Sequence, residues 1–275
     1  MRIKIRLGHA VLLSVIAAAG CTTSAPPQAT PVVAHAAHEK HWAYASTEET
    51  LAPSEWGSLP GNEACRTGRR QSPVALTSRG PGSAEAKDLP NLVFHYGTTG
   101  LHLVNNGHTV QANVDPGSTL EAAGATWTLL QFHFHAPSEH SLDGRQYPME
   151  MHLVHAGPDG KPGLVVGVFL VQGGESKALA PVFAELPKEK DAKVDRPGAT
   201  LDLSGLLPPD RTYFAYDGSL TTPPCTEGIR WFVLTSPGGL SGEQMGAFVS
   251  LLHMTPTNRP LQPLAGRTVQ VDSTP

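Results

Sequence analysis

Proline and glycine recur so often along this chain that no long helix has room to form. There are 25 prolines and 28 glycines among 275 residues, about a fifth of the chain against the ~12% of average usage. Both interrupt helices, proline by removing a donor and crowding the preceding turn, glycine by its backbone freedom. Between them run short apolar or alternating stretches, at 92–96, 101–105, 110–114, 126–135, 150–155, 164–171, 213–216 and 229–235. Such spacing predicts strands. Helices are expected only over 179–185 and 241–252, the second with Ser241 as its N-cap and Glu243 in its first turn. The fold class is therefore mainly β (α+β), one continuous domain with small peripheral helices. Asn106-Gly107 lies between two alternating runs and predicts a two-residue type I′ hairpin turn, with positive φ at both residues.

Charge excludes one class of partner. The net charge is −4, and no run of Lys or Arg follows residue 6, so the electrostatic footprint of a nucleic-acid binder is missing. The basic residues Arg2, Lys4 and Arg6 instead precede an apolar stretch from Leu7 to Ala19, too short for a mature membrane span but right for a signal peptide over 1–20. It ends Ala18-Ala19-Gly20-Cys21, similar to a bacterial lipoprotein cleavage box with Cys21 as the lipidated residue; ordinary secretion is the alternative. Either way the chain is exported, to be periplasmic or membrane-anchored through Cys21. Residues 21–40 are small, Pro-containing and aperiodic, the composition of a flexible tether, which leaves 41–275 as the folded domain. His35, His38 and His41 in or beside this tether read as inert spacer residues, or else as a weak metal-scavenging tail. Cys65 and Cys225 remain as an even pair in an oxidising compartment, where a disulfide is the default and two buried thiols the alternative. A loop of that length would add roughly 5 kcal/mol at most in the chain-entropy account.

The chemistry concentrates in two strand-like runs. In Gln131-Phe132-His133-Phe134-His135 the period of two puts Gln131, His133 and His135 on one face and both phenylalanines on the other. Glu150-Met151-His152-Leu153-Val154-His155 repeats the logic, with Glu150 and His152 sharing a face, and the connection between the runs lets the second return antiparallel beside the first. Three imidazoles from adjacent strands with an open fourth position are what a catalytic zinc site requires. A ligating imidazole also needs its other nitrogen held by an acceptor, and Gln131 and Glu150 stand two residues before His133 and His152 on the same face. Three histidines and a carboxylate facing inward without partners would be costly. His155 is odd relative to His152 and faces away; it and His140 are expected to be structural.

The ordered runs NNGH, QFHFHAPSEH, MEMHLVH, GSLTTPPC and NRPLQPL, with QSPV before them, closely resemble the α-class carbonic anhydrases over about residues 40–271. The resemblance implies a large twisted, mostly antiparallel central sheet with Zn2+ at the base of a conical cleft. It also implies a zinc lyase that hydrates carbon dioxide reversibly to bicarbonate and a proton by zinc-hydroxide attack. His133, His135 and His152 would be the metal ligands. Thr221 would accept a hydrogen bond from the hydroxide and donate one to Glu139, and Thr222 would contact bicarbonate or an inhibitor. His108 matches the proton-shuttle position, and histidine is the side chain whose unperturbed pKa lies near working pH. Tyr44, Asn106 and Gln111 resemble residues that order the waters carrying that proton, while Val154, Val165, Leu220 and Trp231 match the apolar wall that holds carbon dioxide. Arg259 would anchor the C-terminal segment, and Ser72-Pro73 and Pro223-Pro224 match positions often cis. One departure from the family is Ala43 in His41-Trp42-Ala43-Tyr44. The chain would act as a monomer or homodimer. Two rival readings are a binding module of the same fold without catalysis, against which no zinc histidine is missing, and a zinc hydrolase, which would want a free carboxylate near the metal as general base.

Overall fold

Alternation along the two histidine-bearing runs becomes a pair of neighbouring central strands, Ala125–His135 and Met149–Ala156, joined antiparallel with His152 opposite His133 and Glu150 opposite His135. The computed structural model describes residues 40–79, 82–253 and 255–272. The leader over 1–20, Cys21, His35, His38 and all of the 21–40 tether but its last residue lie outside the described residues.

The strand Met149–Ala156 is buried at every position, because it has a strand on each side and packed side chains on each face. Among the described residues it is the middle of a 13-stranded sheet. From one edge the order runs Lys193–Asp202, Thr98–Asn105, Val110–Asn113, Ala125–His135, Met149–Ala156, Pro162–Gln172, Glu227–Leu234, Tyr213–Ser219, Gln270–Asp272 and Glu85–Lys87. Most pairs are antiparallel, as expected; the parallel ones join Pro162–Gln172 to Glu227–Leu234 and to Gly238–Leu240, and Gln270–Asp272 to Glu85–Lys87. The two faces have separate cores. Phe132, Phe134, Met151 and Leu153 pack into one apolar cluster, and Val154, Val165, Phe214 and Trp231 into the other. Fully buried side chains of this size contribute roughly 1.5–3 kcal/mol each, so the alternation expected from sequence is what fixes which residues face the site.

Helices are short and peripheral. Ala180–Ala184 and Gly242–Leu251 fall where they were expected. Ser241 caps the second, its hydroxyl accepting from the Gln244 amide while the Gln244 side chain accepts from the Ser241 amide. That reciprocal box satisfies two of the free N–H groups at the helix start.

The Asn106-Gly107 expectation is corrected. Asn105 pairs with Val110 across the hairpin, so four residues, Asn106 to Thr109, form the loop, and of the pair Gly107 alone takes a left-handed conformation, at φ 83°. The reason is local hydrogen bonding: Asn106 Oδ1 accepts from both the His108 and Thr109 amides, each at 2.9 Å, a self-capped turn that does not require a positive φ at Asn106. Cys65, in the short helix Ala64–Thr67, forms a disulfide with Cys225. The peptide bonds 72–73 and 223–224 are cis as the resemblance implies, and so is Ala136-Pro137.

Candidate metal centre

Because the two strands pair in register, the even-face residues of one meet the odd-face residues of the other at a single point. The ring centroids of His133, His135 and His152 lie 4.6 to 5.4 Å apart, and a nitrogen from each lies within 4.8 Å of the others. Each imidazole has its second nitrogen committed. His133 Nδ1 lies 2.8 Å from Gln131 Oε1, His152 Nε2 lies 2.9 Å from Glu150 Oε1, and His135 Nδ1 lies 2.6 Å from the Thr257 carbonyl. Those contacts leave His133 Nε2, His135 Nε2 and His152 Nδ1 as the free nitrogens. His135 Nε2 is buried and without a hydrogen-bond partner, an expensive state for a polar atom unless something else occupies it. The donor set of three neutral nitrogens suits a borderline-soft divalent metal.

Electrostatics keep these rings neutral. Burial lowers the pKa of all three, with His133 pushed well down and His135 held at about 4 against the opposing pull of the Thr257 carbonyl. His133 retains some accessible surface, yet protein surrounds its ring and the two like-charged neighbours add to the effect. Behind them, Glu150 is buried but ionised. Burial alone would raise its pKa; His140 and His152 outweigh that and hold it well below the usual carboxylate range. Its oxygens meet four donors: His140 Nδ1 at 2.7 Å, His152 Nε2 at 2.9 Å, and the amides of Glu139 and His140 at 2.9 Å.

Glu139 sits on the other side of the cluster. Its Oε1 accepts from the Arg259 amide at 2.8 Å, while Oε2 has no hydrogen-bond partner and lies 3.6 Å from His135 Nε2 and 3.9 Å from His152 Nδ1. Burial pushes its pKa up to about 7, with His152 and the nearby Thr221 hydroxyl pulling the other way. Thr221 is itself buried, and its influence on Glu139 falls short of a formed hydrogen bond. The Arg259 guanidinium reaches Gln71 Oε1, the Ser72 carbonyl and the Cys65 carbonyl at 2.7 to 2.9 Å, so it ties this side of the site to the disulfide. Val154, Val165 and Trp231 share one apolar cluster, with Leu220 packed against it, and Thr222 is half-buried at the same loop.

His108 lies in a different setting. Its ring stacks on Trp42 with centroids 3.6 Å apart, and Tyr44 meets both it and Trp56 edge-on. Burial and the Lys190 charge lower its pKa to about 4. Asn106 spends its carbonyl on its own loop, and Gln111 donates to Asn113 Oδ1 at 2.7 Å. His41 is exposed and apart from the three-histidine group.

Sequence reasoning did not find the Thr257 carbonyl that orients His135, since a backbone group 122 residues away carries no side-chain signal. Nor did it find Tyr216, whose hydroxyl lies 2.6 Å from His140 Nε2 and 2.9 Å from Ser72 Oγ, or Tyr96, whose hydroxyl lies 2.6 Å from His155 Nε2. Both histidines are buried and hydrogen-bonded. The Trp42 stack on His108 had one visible cue, the aromatic pair Trp42 and Tyr44.

A large mixed sheet presents three strand-borne imidazoles that could hold a metal ion, with apolar side chains on one side and a carboxylate on the other. Comparison with known proteins narrows the reading. The family model for eukaryotic-type carbonic anhydrases matches residues 51–273. A carbonic anhydrase from Pectobacterium carotovorum is 39% identical over 267 residues, covering 97% of this chain and 99% of that protein; one from Neisseria gonorrhoeae is 38% identical, covering 86% and 89%. In structure, the α-carbonic anhydrase from Thermovibrio ammonificans in complex with the inhibitor sulfanilamide superposes with a TM-score of 0.78 at 38% identity, over 84% of this chain and 99% of that one. The chain belongs to the α-class, eukaryotic-type carbonic anhydrase family, whose members interconvert carbon dioxide with bicarbonate and a proton.

Proposed function

We propose that this chain hydrates carbon dioxide reversibly with a zinc ion held by His133, His135 and His152. The observation that carries the reading is the convergence of three ring nitrogens whose opposite nitrogens are all engaged, which fixes tautomer and aim together. When bound, zinc supplies Lewis acidity that brings a water's pKa into the neutral range, an effect for which carbonic anhydrases are themselves the standard example.

The chain's own residues do the rest. Thr221 has one donor proton; given to Glu139 Oε2, the oxygen free to receive it, it leaves the Thr221 oxygen only an acceptor role toward the attacking group. The Arg259 amide keeps Glu139 oriented by holding its other oxygen. Val154, Val165, Leu220 and Trp231 offer carbon dioxide an apolar surface, and a nonpolar gas is held by dispersion and exclusion of water rather than by hydrogen bonds. Thr222 contacts bicarbonate. Tyr44, Asn106 and Gln111 order water toward His108, which takes up the released proton. Residues 41–275 are the catalytic domain, exported behind a leader over 1–20. The Cys65–Cys225 disulfide fits an oxidising compartment, with the chain periplasmic or anchored by lipid at Cys21.

The test is stopped-flow carbon dioxide hydration with a pH indicator, on residues 22–275 purified under oxidising conditions, before and after zinc removal and readdition. Fast hydration that disappears with the metal and returns with it is the expected result. One bound zinc per chain without hydration would overturn the reading in favour of a binding module.

A further inference from the structure

Gln71 is a buried polar side chain whose amide joins three separate segments. Its Nε2 donates to the Cys225 carbonyl at 3.1 Å and to Glu227 Oε1 at 3.0 Å. Its Oε1 accepts from Arg259 Nη1 at 2.9 Å. The partners dictate which way the amide points, because a carbonyl and a carboxylate accept while a guanidinium only donates.

Those partners approach the metal centre from two sides. Cys225 lies in the hairpin that joins Tyr213–Ser219 to Glu227–Leu234 and carries Thr221. That hairpin is closed on itself, with the Leu220 amide donating to the Thr226 carbonyl and the Cys225 amide to the Thr222 carbonyl, both at 2.9 Å. Its other limb is held by the residue next to Gln71: the Ser72 amide donates to Ser219 Oγ at 2.9 Å, and the Ser219 amide donates to Ser72 Oγ at 3.1 Å. Gln71 and Ser72 therefore grip the Thr221 hairpin at both ends. On the opposite side, Arg259 Nη1 also reaches the Ser72 carbonyl at 2.7 Å, and the Arg259 amide donates to Glu139 Oε1 at 2.8 Å. Glu139 Oε2 then lies 3.6 Å from His135 Nε2, the nitrogen left free to face a metal.

We infer that Gln71 is a positioning residue for this enzyme, its one amide setting the distance between the Thr221 hairpin and the Arg259 segment that holds Glu139. The inference rests on the carbon dioxide hydration proposed above, in which Thr221 gives its proton to Glu139 and so meets the attacking group as an acceptor. Methionine at this position keeps the length and loses every hydrogen bond, so the hairpin and the Arg259 segment are no longer tied through the side chain. Gly68 offers a second route to the same amide. A Cβ there would collide with Gln71 Nε2, Glu227 Oε1 and the Ala64 carbonyl, so Gly68→Ala displaces the amide without changing its chemistry.

The experiment measures stopped-flow carbon dioxide hydration for the zinc-loaded protein, Gln71→Met, Gly68→Ala, Thr221→Ala, and each of the first two combined with Thr221→Ala, with zinc per chain read by metal analysis. For Gln71→Met, kcat/KM is expected to fall about tenfold with zinc retained, inside the ~10²-fold that a misplacement of about 1 Å can cost. Once Thr221→Ala has removed the group being aimed, the same substitution should change kcat/KM by no more than about twofold, because effects that run through one group do not add. A residue that only supports the fold would cost the same factor in both backgrounds, and that result would overturn the inference. So would an unchanged kcat/KM in folded, zinc-loaded Gln71→Met. Should Gln71→Met fail to fold, Gly68→Ala carries the same comparison: a fall in kcat/KM that disappears beside Thr221→Ala supports the inference, and a fall that persists overturns it. Absence of zinc-dependent hydration in the unaltered protein would instead overturn the functional reading beneath it.

Discussion

The two faces of the strand pair Ala125–His135 and Met149–Ala156 carry histidines to opposite ends. On one face His133, His135 and His152 aim free nitrogens at a common point, each held from behind by an acceptor. On the other, His155 is fully buried, opposite Leu129 and Leu164, with Tyr96 on Nε2 and no hydrogen-bond partner on Nδ1. Burial and residue type are shared, so neither makes a ligand. Convergence does, and it comes from register: a strand shifted by one residue would exchange the faces.

The comparison breaks most visibly at His133. His133→Ala removes one of the three proposed ligands, and the expected outcome is loss of stoichiometric zinc and of hydration, read by metal analysis and stopped flow, with the fold kept by the unaltered apolar face. Next in size is Thr221→Ala, which removes the acceptor proposed to orient the attacking group; kcat/KM is expected to fall about 10²-fold, the scale for one preorganised group, with zinc retained. Glu150→Gln tests the support behind the ligands. An amide would turn an N–H donor toward donors that now all meet carboxylate oxygens, and zinc affinity measured by chelator competition is expected to weaken roughly 10- to 100-fold.

Much of this site was legible because the strand period and the metal's needs both act through neighbouring side chains. Gln131 with His133 and Glu150 with His152 are two residues apart, so pattern alone paired them correctly. The apolar wall could be named only through resemblance, since Val165 and Trp231 are brought together by a parallel pairing between distant strands. The Asn106-Gly107 turn failed for a local reason: a short dipeptide signal cannot show that Asn106 would spend its carbonyl on two amides of its own loop. The support for His135 failed for a global one, because a backbone carbonyl looks alike at every position in a sequence.

The smallest effect on activity belongs to the back face. Replacing the buried pair together, His155→Phe with Tyr96→Phe, leaves neither partner unpaired and should change neither zinc binding nor hydration at neutral pH. Its signature is in acid. Burial holds the folded-state pKa of His155 down at about 3, against an ordinary value of 6.5. As pH falls below the ordinary value the unfolded chain takes up a proton that the folded chain refuses, so stability is full above that value and is lost progressively down to about pH 3, by up to about 5 kcal/mol for this one group. Urea unfolding across that range should therefore show a shallower acid loss in the double variant than in the parent. Equal slopes would mean that His155 protonates readily in place, and that the back face, despite its apolar packing, shelters its histidine no better than water does.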